Sequence, residues 1–317
     1  MAGKVRNITI ALGICLLLLL AVLGLKNANN IYALFLGDVQ SLYEQADSLY
    51  RRQKYKESIK LYSKLARIDS AKYCQFILAD IYYQGKAGVV DNKKAIRLFT
   101  ESADNGNADS QNNLGYMYTY GIGTDINYSK ARKYLSLAAL QGHSQALVGL
   151  GCLYRHGWGV PRSYSEAFNL YKRGAARDNT DAMNNLGYMY TFGYGTSTSV
   201  DDAKYWFEKS ASRNNVSALF NLAVFHMEGH GYPKDFSKGA ELLSRAVELN
   251  SPIAQFNLGL MYYFGKGVEK DYAKAKHLFQ QASAQGHNYA LEFLMKVENK
   301  EEISETDSIY DFRIQAE

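Results

Sequence analysis

Apolar positions along this chain recur with two periods at once. Over a dozen residues they fall three and four apart, as at Ala146, Leu150 and Tyr154, the spacing of one helix face. Over longer distances the whole pattern returns every 36 residues. Leu78, Leu114, Leu150, Leu186, Leu222 and Leu258 share one column, and Leu294 continues it. Seven residues past the first six leucines stand Gly85, Gly121, Gly157, Gly193, Gly229 and Gly265. Six glycines in one column would arise by chance about once in 10⁷ trials at a usage near ~7%. A second glycine follows two residues on, at Gly123, Gly159, Gly195, Gly231 and Gly267, with Ala87 in the first unit.

The columns predict two helices per unit. The paired glycines end the first helix, because they permit backbone angles that other residues avoid. Six residues after the first glycine come Asp91, Asn127, Ser163, Ser199, Asp235 and Asp271, all strong N-cap types, so the second helix starts there. Four residues further, Ala95, Ala131, Ala167, Ala203, Gly239 and Ala275 are small enough for close helix approach. The second helix stops at Gly106, Gly142, Asp178, Asn214, Asn250 and Gly286, types that tolerate a left-handed residue. Start, stop and packing signals agree in every unit, so the fold is expected to be all-α, a long antiparallel helix array.

These residues resemble the Sel1-like repeat family, relatives of the tetratricopeptide repeat. The pattern Ala-x3-Leu-Gly-x2-Tyr-x2-Gly-x-Gly stands intact at Ala146 to Gly159 and at Ala182 to Gly195. The resemblance covers about residues 72–300; His226 replaces the column tyrosine, and Ala79 and Ala223 replace the glycine after leucine. It implies a right-handed α/α superhelical solenoid whose concave face is lined by first-helix positions. Upstream, Ala46, Tyr50, Tyr55, Ser58, Tyr62 and Ala66 resemble a single tetratricopeptide unit that lacks the usual glycine. The domain expectation is therefore a tetratricopeptide-like unit over 40–70, six repeats over 71–287 and a capping helix over 288–299. An acidic tail over 300–317 is expected to be disordered.

The N-terminus has a different pattern. Lys4 and Arg6 precede an uncharged run from Ile8 to Leu25, roughly 27 Å long as a helix and close to the thickness of a bilayer core. An uncleaved signal-anchor is the favoured reading, with a cleaved signal peptide as the alternative. Residues 1–7 then stay cytoplasmic, since Lys4 and Arg6 outweigh Lys26. Residues 26–39 become a juxtamembrane linker, and the repeats lie in the periplasm, or in the lumen of a eukaryotic cell. Cleavage would release them as a secreted or periplasmic protein.

Composition narrows the rest. Among 317 residues, 36 basic and 31 acidic side chains leave a net charge of +5, too mild and scattered to imply nucleic acid. A basic cluster at Arg51, Arg52, Lys54, Lys56, Lys60 and Lys64 reads as a solvated helix face or, alternatively, as a contact for anionic headgroups. Cys74 and Cys152 fall in units that are not neighbours and are read as thiols rather than a disulfide. The stretch His226 to His230 lacks the glutamate spacing of a zinc protease, and no metal or cofactor is expected.

Tyrosine, at 26 residues, is abundant. On the first helices, positions outside the inter-repeat stripe give Asn112, Tyr116 and Tyr120, then Arg155 and His156, Asn184, Tyr188 and Phe192, and finally Tyr263 and Phe264. They are expected to bind a protein or peptide, the two asparagines bonding its backbone and the rings supplying apolar area. The family resemblance implies an adaptor of envelope or lumenal processes. A second reading is an immunity protein that blocks a secreted lipase-type toxin. A third is a β-lactam-binding or hydrolysing enzyme; this chain lacks the paired cysteines of such relatives, and it shows no nucleophile with a base. No enzymatic role is expected.

Overall fold

Most helix boundaries from Asn92 onward are set by residues that satisfy what a helix end leaves open. The computed structural model describes residues 28–68 and 72–299, and among them it contains fifteen helices and no strand. Helices α1 (Ala28–Arg51) and α2 (Tyr55–Ile68) come first. Six pairs follow: α3 (Lys72–Tyr83) with α4 (Asn92–Asp104), α5 (Ala108–Tyr120) with α6 (Tyr128–Leu140), and α7 (Ser144–His156) with α8 (Tyr164–Ala175). The last three pairs are α9 (Thr180–Phe192) with α10 (Val200–Ala211), α11 (Val216–Glu228) with α12 (Phe236–Glu248), and α13 (Pro252–Phe264) with α14 (Tyr272–Ala284). Helix α15 (Asn288–Glu298) closes the row.

The boundary columns act as the sequence predicts. Asp91, Asn127, Ser163, Ser199, Asp235 and Asp271 each accept a backbone N–H from the first turn of the helix they precede. At the other ends, Gly106, Gly142, Asp178, Asn214, Asn250 and Gly286 all have positive φ, between 59° and 84°. The three non-glycines are Asp and Asn, whose short side chains best tolerate that region.

The chain divides into two compact units, residues 1–143 and 144–317. Among the described residues the first holds α1 to α6 and the second α7 to α15. Within a unit the two helices of a repeat pack on each other, and the second packs on the first helix of the next repeat. In the second unit α9 also touches both α7 and α11, so first helices line up side by side. Close pairing depends on the glycine after the column leucine. A Cβ on Gly187 would lie 2.6 Å from Phe207 Cδ1, and Phe207 is fully buried in that space. The six column leucines from Leu78 to Leu258 are themselves buried.

Polar side chains join the repeats in the second unit. Ser210 donates to the Thr180 carbonyl at 2.8 Å, Asn215 Nδ2 to Asp181 at 2.8 Å, and Arg245 to the Ala211 carbonyl at 3.0 Å. In the first unit, Lys86 Nζ bonds Asp80 at 2.7 Å and Tyr50 at 2.6 Å, which ties α1 to the end of α3.

Residues 28–39, read as linker, form the first half of α1. From 28 to 51 the chain has no proline and one glycine, Gly37, so nothing stops the helix. The segment 8–25 and the tail 300–317 lie outside the described residues. Among the described ones no helix is long and apolar enough to cross a membrane.

Candidate functional site

The third and fourth repeats build a connected row of rings and guanidinium groups within the second unit. The last turn of α7 delivers Arg155 and His156, and the left-handed Gly157 (φ 74°) turns the chain so that Trp158 follows at once. The Trp158 backbone N–H donates to the Leu153 carbonyl at 2.9 Å, which fixes the turn. Its indole then stacks on His156, with centroids 4.5 Å apart and planes at 17°. Arg155 donates from Nη2 to His156 Nε2 at 2.9 Å and from Nη1 to Asn185 Oδ1 at 3.2 Å. Its guanidinium carbon also lies 5.6 Å from the centre of the Tyr188 ring.

On α9, Tyr188 and Phe192 are one turn apart and their centroids are 4.8 Å apart. Tyr194 sits between Gly193 and Gly195, tied by its N–H to the Met189 carbonyl at 3.0 Å. Its ring lies 5.9 Å from Tyr188 and 5.7 Å from Phe192. The same ring stacks on Tyr164, at 4.5 Å and 12°. Gly195 makes that stack possible. Its φ is +71°, and a Cβ there would lie 2.3 Å from the Tyr164 carbonyl oxygen. Only a bare backbone lets this loop lie against the start of α8. Arg162 completes the row 5.5 Å over Tyr164.

Residues 144–163 contain Arg155 and Arg162 and no carboxylate, and residues 182–199 contain no charged side chain. Partial desolvation of the otherwise exposed ring, and secondarily the Arg155 guanidinium, holds the His156 imidazole below its ordinary value. His156 therefore stays neutral and accepts from Arg155. Burial raises Tyr188, assisted by Tyr194 and opposed by Arg155. Such stacked pairs contribute about 0.5–1.5 kcal/mol each beyond burial, so the rings are held in place before anything binds. Phe192 is nonetheless 44% exposed, so the row is not simply core.

The predicted surface residues divide into four groups. Arg155, His156, Tyr188 and Phe192 meet in the row just described. Tyr263 and Phe264, half-buried, form an edge-to-face pair at 5.0 Å, with Tyr263 also against Tyr272 at 5.1 Å. In the first unit Tyr116 and Tyr120 are exposed with centroids 4.6 Å apart, and Asn112 is half-buried. Asn184 differs from its expected role. It is fully buried, and its Oδ1 accepts from Asn221 Nδ2 at 2.8 Å, so it joins two repeats instead of meeting a partner backbone. Arg155 is only 9% exposed, so it positions the rings more than it reaches outward.

Sequence reasoning missed Trp158, Arg162, Tyr164 and Tyr194. Two of them occupy the middle of the Gly-x-Gly, where other repeats have Lys86, Ile122, His230 and Lys266. Aromatic residues between two left-handed glycines were the available signal. Elsewhere, His226 stacks on Tyr232 at 3.9 Å and His230 pairs with Glu228 at 2.6 Å. Among the described residues no group of three or more His, Cys, Asp or Glu side chains is placed to hold a metal. Cys152 accepts a hydrogen bond from the Tyr171 hydroxyl at 3.5 Å.

Capped helix pairs in strict register, with rings displayed from their connecting loops, define a tandem helix-repeat protein. The Sel1 repeat matches six consecutive stretches, 72–107, 108–143, 144–179, 180–215, 216–251 and 252–287, and the chain belongs to the Sel1 repeat family. A Sel1 repeat protein of Oxalobacter formigenes shares 27% identity and a TM-score of 0.69, over 76% of this chain and 99% of its own length. The protein c5321 of uropathogenic Escherichia coli, a protective antigen with an SLR fold, shares 26% identity and a TM-score of 0.61 over 86% of this chain. This chain spans 62% of that antigen's length. Among curated proteins no relative matches.

Proposed function

We propose that this chain is a non-catalytic Sel1-repeat adaptor that captures a protein segment on the aromatic face of its third and fourth repeats. The observation that carries the reading is the connected row from Trp158 through Tyr188 to Tyr164, pre-stacked yet open to solvent at Phe192. Rigid rings with polar tips add contact area while losing little conformational freedom, which favours them at interfaces.

Site-specific photo-crosslinking in cells tests this. A crosslinker at position 192 should give a discrete protein adduct. The same group at Tyr205, 53% exposed on α10, should give none. Adducts of equal yield at both positions, or none at 192, would refute the reading.

Tethering is a separate part of the proposal. Residues 8–25 hold the chain in a membrane, with the repeats on the side opposite Lys4 and Arg6. The support is the uncharged run from Ile8 to Leu25 and the charge imbalance around it. Recovery of the full chain in the alkaline-insoluble membrane fraction, with the repeats open to protease only on the outer side, is the expected result. A fully extractable chain would exclude the anchor.

A further inference from the structure

The bound segment has a chemistry of its own, and the inference that follows rests on the adaptor reading above. We infer that the aromatic face of the third and fourth repeats takes an extended acidic peptide segment, whose carboxylates meet the exposed Arg162 at its edge while its apolar side chains lie on the rings. Complementarity of charge supports this. The two stretches that supply the face, 144–163 and 182–199, have no carboxylate and two arginines, of which Arg162 is exposed and Arg155 is buried behind the rings. The nearest acidic side chains in sequence lie at its margin. Asp181 is engaged by Asn215 at 2.8 Å, Glu166 lies in the first turn of α8, and Asp201 and Asp202 lie in the first turn of α10.

The cationic edge is built rather than incidental. Arg162 lies 5.5 Å over Tyr164, immediately before and after the N-cap Ser163. The equivalent residues repeat the arrangement later in the same unit, with Lys234 5.2 Å over Phe236 and Lys270 4.9 Å over Tyr272. A cation held on a ring keeps its charge while losing little further freedom on binding. In the fifth repeat Glu228, at the end of α11, puts a carboxylate where the third and fourth repeats have His156 and Phe192, which favours repeats three and four for the acidic segment.

Single-stranded nucleic acid also combines anionic charge with stacking. It spaces a phosphate at every nucleotide, however, and the one exposed arginine of the face, Arg162, neutralises too few of them for strong binding. An acidic peptide, with fewer and adjustable charges, fits better.

The test uses the full chain and three fluorescein-labelled twelve-residue peptides. Alternate positions are all Glu, all Lys or all Gln, and the remaining positions alternate Phe and Ala. By fluorescence anisotropy the Glu peptide should bind at least ten-fold more tightly than the Lys peptide, with Gln between them. Raising salt from 50 to 500 mM should remove most of that gap. Arg162→Gln should weaken the Glu peptide at least three-fold and leave the Gln peptide unchanged, with circular dichroism confirming an intact fold.

A Lys or Gln peptide that binds as tightly as Glu overturns the inference, as does failure of all three to bind. A twelve-residue oligothymidine that binds more tightly than the Glu peptide also overturns it, in favour of nucleic acid. The adaptor reading is judged separately by the crosslink at position 192. An adduct there with no preference for Glu keeps the adaptor and rejects the acidic partner.

Discussion

Asn221 and Asn257 are equivalent residues of adjacent repeats, both fully buried, and the same substitution at the two should move stability in opposite directions. Asn221 Nδ2 donates to Asn184 Oδ1 at 2.8 Å. The place of Asn184 in the next repeat is taken by Phe220, which has no acceptor. Asn257 therefore turns its Nδ2 back to the Ile253 carbonyl at 2.8 Å, and no protein donor reaches its buried Oδ1. Leucine keeps the branched skeleton of asparagine, so the strain of added methyl volume is common to both variants. Asn221→Leu loses a hydrogen bond and deprives a buried acceptor of a donor, a cost of about 2–3 kcal/mol. Asn257→Leu removes a buried acceptor that lacked a donor, a gain of about 1 kcal/mol after the bond to Ile253 is given up. The two variants should differ by roughly 3 kcal/mol, or about 6–12 °C in Tm for a unit of this size. Thermal melts followed by circular dichroism at 222 nm measure this directly. If Asn257→Leu falls as far as Asn221→Leu, the pairing logic is wrong.

Three further outcomes are expected. Phe192→Ala should cut segment capture at least ten-fold while Tm shifts by no more than about 2 °C, because the ring is already 44% exposed. Gly195→Ala should cost at least about 2 kcal/mol in urea denaturation, since the residue needs φ +71° and its new Cβ would meet the Tyr164 carbonyl oxygen at 2.3 Å. His156 should titrate below its ordinary 6.5, with Trp158 fluorescence as the reporter and His156→Gln abolishing the transition. The sign follows from the depressed folded value. Above 6.5 the imidazole is neutral in both states, and its contribution is lost as pH falls from 6.5 through the folded pKa, where only the unfolded chain gains the proton. A stability that increases as pH falls through that interval would contradict the assignment.

Much of the molecule was legible because its signals are local. An N-cap acts on a backbone N–H three residues away, and a left-handed residue ends a helix wherever it stands. Asp91 through Asp271 and Gly106 through Gly286 could therefore be read from one chain. The surface was less legible. Residues 112–119 and 184–191 carry the same string, Asn-Asn-Leu-Gly-Tyr-Met-Tyr-Thr, yet Asn112 is half-buried and Asn184 fully buried. Tyr116 is 49% exposed while Tyr188 is half-buried, because Arg155 and Tyr194 flank the Tyr188 ring.

The sequence by itself thus determined the all-helical fold, the 36-residue register and the helix ends, all of which depend on neighbours a few residues away. Tertiary structure alone decided that one of two identical strings buries its first asparagine as a joint between repeats and packs its tyrosine into an aromatic row. That choice rests on side chains about 30 residues distant, Asn221 on Asn184, Arg155 on Tyr188 and Tyr164 on Tyr194, which stacking of repeats brings together.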